Sequence, residues 1–142
     1  MNDGPRSRHV PTRLAAGAFV LNSGLSKRGA DADTAKGLHG MASTAYPALA
    51  DMEPQQFTKL LSTAEIALGV ALLLPVVPTA LAGAGLTAFG AGLVGLYLRT
   101  PGARQRGSVR PTEDGIGLAK DAWLLAIGAG MVLDALADRR RA

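Results

Sequence analysis

Long uncharged blocks alternate with polar connections along the chain. The longest block, residues 66–98, contains 33 residues without a charge. As one straight helix it would be about 50 Å long, well beyond the roughly 30 Å hydrocarbon core of a bilayer. Pro75 and Pro78 interrupt it, and each removes an amide donor and restrains the residue before it. The pattern therefore predicts a hairpin of two spans, over residues 58–76 and 79–98.

Two shorter apolar blocks predict an outer span at each end. Residues 14–26 are uncharged, and a span over 10–26 becomes long enough if Arg13 and Lys27 snorkel to opposite interfaces. The alternative is the apolar region of a signal peptide behind a basic start. The last block, residues 116–136, has an uncharged centre at 122–133 and precedes three arginines at 139–141. It predicts the fourth span.

Two polar connections, residues 27–57 and 99–115, separate these spans. The first contains apolar residues at helical spacing after a possible N-cap at Asp31 or Asp33, with Pro47 as a limit. It predicts a short amphipathic helix on the membrane surface or over the bundle. The second is rich in arginine, glycine and proline and predicts a flexible basic loop. The amphipathic pattern comprises Leu38, Met41, Ala42, Ala45 and Leu49.

Together these elements predict one domain over residues 1–142, an all-α integral membrane four-helix bundle with a short amphipathic helix between helices 1 and 2. Both termini then lie on one side, the tail side, and both connections on the other, the loop side. The raw number of cations favours cytoplasmic loops, whereas the dense arginines at the helix ends on the tail side favour cytoplasmic termini. The positive-inside rule therefore does not determine the orientation of the chain in the membrane. We expect both termini to be cytoplasmic.

Small residues on the predicted spans indicate close helix packing. Two ridges of small residues are candidates for such contacts. The sequence shows no convincing internal repeat. The ridges are Ala84, Ala88 and Gly92 on the third span, and Ala126, Gly128 and Gly130 on the fourth.

The amino-acid composition excludes several kinds of functional site. The chain is 48% hydrophobic and 18% charged, and it contains no cysteine, which excludes disulfides and thiolate ligands. Its two histidines, His9 and His39, lie outside the apolar blocks, and His39 is expected on a helix surface. The net charge of +4 comes from cations next to apolar blocks, so lipid headgroups are better partners than nucleic acid. No catalytic triad, carboxylate pair or metal-ligand set can be assembled.

Glu65 is the first candidate for function because a carboxylate within a span is costly unless paired, protonated or hydrated. The predicted topology places it near Lys120, Asp121 and Arg99, and also near Asn22, Tyr97 and Trp123. One hypothesis is a polar pocket for a small polar or quinone-like ligand. In that pocket Glu65 pairs with Lys120 or Arg99, Asn22 offers a hydrogen bond, and Tyr97 and Trp123 form aromatic walls. The alternative is a charge pair that fixes helix register, with the two aromatic residues anchoring at the interface.

Three stretches carry a resemblance to a known family. They are Arg13-Leu14 with Gly17, Phe19-Val20, Gly24 and Lys27; Glu65-Ile66 with Leu68-Gly69 and Leu72-Leu73-Leu74; and Lys120-Asp121 before an apolar run. They resemble the first, second and fourth helices of DoxX-family membrane proteins over residues 10–136. The resemblance implies a four-helix protein of the bacterial inner membrane. Some members are associated with a thiosulfate:quinone oxidoreductase, others with an oxidative-stress complex containing a superoxide dismutase and a sulfurtransferase.

Three functions follow as expectations. The first is an accessory or scaffold subunit, not an enzyme by itself, for redox or stress-defence proteins. The second is a quinone-linked oxidoreductase subunit with Glu65 and Lys120 or Asp121 around the headgroup. The third is a small transporter that uses the same polar cluster. The chain has no cysteine, and residues 79–98 contain no histidine, which argues against electron carriage but leaves quinone binding open. Oligomerisation stays open as well.

Overall fold

The computed structural model describes residues 7–142, so residues 1–6 of the predicted polar tail lie outside the described part. The regular secondary structure of the described residues is helical and includes no β-strand, and residues 100–115 form turns with one isolated β-bridge between Arg104 and Pro111. Short 3-10 turns at Ser7–His9 and Pro47–Leu49 accompany six α-helices. These are α1 (Val10–Lys27), α2 (Ala32–Ala45), α3 (Pro54–Leu73), α4 (Thr79–Arg99), α5 (Ile116–Ala119) and α6 (Ala122–Arg141).

Three helical segments of the described chain are long and apolar enough to cross a membrane. They are Pro54–Leu73, Thr79–Arg99 and Ile116–Arg141, the last one joining α5 and α6. Large apolar side chains remain exposed around the bundle, among them Phe19 and Leu81 at 57% and 66%. A lipid environment accounts for such exposure, because it imposes no cost on apolar surface. These segments confirm a membrane protein; a fourth span through α1 stays a prediction.

The helix boundaries follow local sequence signals. The turn at residues 74–78 lies at Pro75 and Pro78, as predicted. α3 begins at Pro54, four residues earlier than expected, because proline is well suited to the first turn of a helix, where its missing amide is not needed. The predicted span over 116–136 is interrupted at Lys120 and Asp121, where the backbone tightens into hydrogen bonds between residues three apart.

The helices form two close pairs, and the first pair joins α1 to α3. Glycines at Gly17 and Gly24 of α1 and at Gly69 of α3 lie in the contact. A Cβ atom added at Gly69 would lie 2.6 Å from the Leu21 amide nitrogen, and one at Gly24 would lie 2.8 Å from the Ile66 nitrogen. The two backbones therefore touch, and a side chain at either position would push the helices apart.

The second pair joins α4 to α6 with the same arrangement. Added Cβ atoms at Gly90 and Gly128 would lie 2.5 and 2.6 Å from the amide nitrogens of Leu125 and Thr87. The predicted ridge lies on the wrong face of α4. Gly83 and Gly90 face α6, whereas the ridge residues Ala84, Ala88 and Gly92 are exposed. On α6 only Gly128 of the predicted ridge is buried, and Ala126 and Gly130 are exposed.

The two pairs are repeats of one packing unit. Adding 66 to the glycine positions of α1 gives Gly83 and Gly90, and adding 59 to Gly69 gives Gly128. The same offsets relate buried Val20 to Leu86 and buried Leu72 to Met131. Both first helices run towards the loop side, so the repeats are parallel. The repeat is not evident in the sequence because the two halves share little beyond the glycines.

The loop side is covered by α2 and by turns. Asp31 caps α2 by accepting a hydrogen bond from the Thr34 amide, as predicted, and α2 lies mainly against α3. The surface prediction for His39 is wrong. Its Nε2 atom lies 2.7 Å from the Leu49 carbonyl oxygen, and its ring contacts the edge of Phe57, because the chain after α2 folds back over it.

Candidate functional site

Glu65 is buried with 3% of its surface exposed, and it forms an ion pair with Lys27. The Lys27 Nζ atom lies 3.0 and 3.2 Å from the two carboxylate oxygens and donates a third bond to the Ser23 hydroxyl at 2.6 Å. The predicted partners Lys120 and Arg99 are therefore wrong. Glu65 faces α1 because the glycine contacts bring α1 against α3, and Lys27 is the last residue of α1.

Further contacts fix the relative position of α1 and α3. The buried Ser62 hydroxyl donates to the Gly24 carbonyl at 2.8 Å, one helical turn from Glu65. Asp121, at the start of α6, lies within electrostatic range of both Lys27 and Glu65. The Lys27–Glu65 ion pair and the nearby Asp121 together form the charge cluster of the loop side, and its ion pair joins α1 to α3 within the first repeat.

The other predicted pocket residues lie elsewhere. The Tyr97 hydroxyl donates to the Val109 carbonyl at 2.7 Å and so anchors the basic loop. The Arg99 guanidinium lies 5.0 Å from the centre of the Tyr46 ring, in a cation–π contact. Asn22, Lys120 and Trp123 are exposed, Trp123 at 70%. Of the seven predicted residues, only Glu65 and Asp121 come together.

Arg13 is a second buried charge, and the prediction that it snorkels is wrong. It is 3% exposed and makes five hydrogen bonds to the turn between α3 and α4. The bonds lie between 2.8 and 3.2 Å. The acceptors are the carbonyl oxygens of Ala71, Leu72, Leu74 and Val77 and the hydroxyl of Thr79.

The end of α3 explains why arginine occupies this position. The last carbonyls of a helix have no partner within the helix, and Pro75 and Pro78 offer no amide. A guanidinium group carries five N–H donors in a fixed plane, and its charge suits the negative end of the helix dipole. The sequence signal for this contact was the pair of prolines, because they leave carbonyl groups at the end of α3 without amide partners. The sequence did not show which helix would supply the donor.

Ionic contacts also tie the chain start to α6 on the tail side. The Arg8 guanidinium pairs with Asp134 and Asp138, and the His9 Nε2 atom lies 2.6 Å from Asp134. Arg8 is nearly half exposed, so solvent weakens these pairs. Their contribution is mainly to position residues 7–9 beside α6.

A polar groove of about 690 Å³ opens on the loop side, between the end of α1, the start of α2 and one face of α3. Its lining includes the exposed cations Arg28 and Lys59, the buried hydroxyls of Thr58 and Ser62, and the apolar residues Ile66 and Ala67. In residues 7–142 no three histidine, aspartate or glutamate side chains are grouped closely enough to hold a metal ion.

Comparison with protein-family models, curated proteins and solved structures finds no significant match to this chain. The resemblance to the DoxX family therefore stays a prediction from the short stretches that carry it.

Proposed function

We propose that the chain is a four-helix accessory or scaffold subunit of a bacterial inner membrane, with α1 as the fourth span and both termini cytoplasmic. α1 supports this because it packs along α3 while Leu14 and Phe19 stay exposed. The charge of its buried Arg13 is stabilised by hydrogen bonds to carbonyl oxygens at the end of α3 and in the following turn. The DoxX-like stretches suggest redox or stress-defence proteins as partners.

One observation carries the scaffold proposal: the buried charges hold helices to one another. Arg13 bonds α1 to the α3–α4 turn, and Glu65 bonds α3 to the end of α1. These groups stabilise a fixed arrangement of helices, while aromatic and polar groups such as Trp123 and Asn22 face outward. Outward groups on a rigid bundle suit contacts with lipid or with a neighbouring membrane subunit.

The experiment is a mild-detergent purification of the tagged chain from its native membrane, followed by mass spectrometry and a quinone-reduction assay on the same sample. A stoichiometric partner without quinone turnover is the expected result. Trp123→Ala should weaken the association while the bundle stays folded, because Trp123 contacts little within the chain. Val109→Ala, at another exposed apolar residue, is the matched control. Purification without a partner but with quinone turnover would refute the proposal and favour the oxidoreductase alternative.

A small transporter is the second candidate, because parallel internal repeats and ionisable residues within membrane spans occur in transporters. In this function Glu65 would change its protonation or partner during transport. Glu65→Gln would then abolish proton flux into vesicles that contain the purified chain. In the scaffold proposal the wild type shows no flux, and Glu65→Gln lowers only stability or assembly.

A further inference from the structure

The groove on the loop side arises from a difference between the two repeats. Gly24 lies beside Ile66 in the antiparallel α1–α3 pair, so Lys27, the end of α1, lies level with about residue 63 of α3. The first nine residues of α3 therefore extend about 14 Å beyond α1. In the second repeat, α4 continues six residues past Leu93, the counterpart of Lys27. The outer part of the groove, at Gln55 and Lys59, lies in the corresponding space of the first repeat, whereas its end at Ile66 and Ala67 lies beside the last turns of α1.

The α3 wall of the groove changes from polar to apolar along its length. It is one helix face, with residues at spacings of three and four from Gln55 to Ala67. Gln55 and Lys59 lie nearest the start of α3, Thr63 follows, and Ile66 and Ala67 lie farthest along the helix. The buried Thr58 and Ser62 line the groove between them. The distance from Gln55 to Ala67 along the axis is about 18 Å. Such a gradient matches a molecule with a polar head and an apolar chain.

The charge of the groove is positive and unneutralised. Arg28 and Lys59 are exposed on opposite walls, and no hydrogen bond or ion pair of either side chain occurs within residues 7–142. No acidic residue of the described chain lines the groove. Lys27, the third cation of the wall, is already bound by Glu65. Two free cations therefore face the space that a headgroup would occupy.

We propose that this groove binds an anionic phospholipid. Arg28 and Lys59 contact its phosphate, Gln55 donates to the headgroup, and an acyl chain lies along Ile66 and Ala67. Basic pockets between helices bind anionic headgroups on the cytoplasmic side of membranes, and the same charge attraction acts on the loop side whichever way the chain is oriented. The proposal needs the chain to lie in a bilayer, as proposed above, but it needs no partner protein and no catalytic activity.

The test is native mass spectrometry of the purified full chain in detergent, titrated with phosphatidylglycerol and with phosphatidylcholine. The double variant R28Q/K59Q should bind phosphatidylglycerol about thirty-fold more weakly, since each cation near a membrane contributes about fivefold. The control R106Q/R110Q removes two exposed cations from the other loop and should change binding less than threefold. Elution on gel filtration and helicity establish that each variant is folded.

The variant Ala67→Trp separates a lipid from a small anion. It fills the apolar end of the groove without changing charge, and it should weaken phosphatidylglycerol binding while the phosphate contacts stay in place. An equal loss in R106Q/R110Q would overturn the proposal, because attraction to the lipid would then be diffuse. It would also be overturned if inorganic phosphate displaced the lipid at equal concentration and Ala67→Trp had no effect, which would assign the groove to free phosphate.

Discussion

Arg13→Leu tests whether the buried guanidinium holds α1 to the turn between α3 and α4. The substitution removes five hydrogen bonds to the turn between α3 and α4 and leaves four carbonyl groups without that donor. Hydrogen bonds between helices in membrane proteins average about 0.6 kcal/mol each, so five contribute about 3 kcal/mol. Arg13→Lys keeps the charge but has three donors, so it should lose at least about 1 kcal/mol.

The assay is reversible unfolding of the purified chain in mixed micelles, with the free energy of unfolding measured for each variant. Arg139→Leu is the matched control, because it removes an exposed arginine on the same side of the bundle. If Arg13 instead snorkelled, its loss would resemble that of Arg139. A free energy for Arg13→Leu within about 0.5 kcal/mol of the control would refute the assignment of Arg13 as the cap of α3.

Three further substitutions test separate contacts. Gly128→Ala should lower the free energy of unfolding by more than about 1 kcal/mol because its Cβ would meet backbone, whereas Gly130→Ala, facing open space, should change it little in the same assay. Tyr97→Phe should speed proteolysis of the basic loop, since it removes the bond to Val109; unchanged cleavage would contradict that anchor. The backbone hydrogen bond at the start of α2 lowers the pKa of Asp31, so its stabilisation is present above the usual aspartate pKa and is lost as pH falls through the lowered value. Protection of the backbone amides at the start of α2 from hydrogen exchange should therefore fall over the same pH range. Asp31→Ala should remove this pH dependence.

Local signals in the sequence predicted the elements of the fold but not their pairing. Pro75 and Pro78 placed the hairpin turn, and Asp31 placed the start of α2, because prolines and caps act on their immediate neighbours. Which face of α4 meets α6 depends on a contact one residue from the predicted ridge. Small residues occur on both faces of α4, so composition could not distinguish Gly90 from Gly92.

The candidate site shows the same limit. Glu65 could be identified from the sequence because a carboxylate within an apolar block is costly on any face of the helix. Its partner could not be found, since Lys27, Lys120 and Arg99 all lie at the loop-side ends of predicted spans. Pairing requires the register of α1 on α3, which the glycine contacts set over a long sequence separation.

The repeat provides a direct test of what the Lys27–Glu65 pair contributes. Leu93 and Leu124 occupy the equivalent positions in the second pair, so the same packing unit accommodates leucine at both. Glu65→Leu alone leaves the lysine without its partner and should cost at most about 3 kcal/mol, because Lys27 is partly exposed. The double variant K27L/E65L should recover that loss, since apolar residues often replace a buried ion pair without cost. If the double variant in the unfolding assay is as unstable as Glu65→Leu, the first pair does not accommodate leucine at these positions, and the equivalence of the two packing units at Lys27 and Glu65 is refuted.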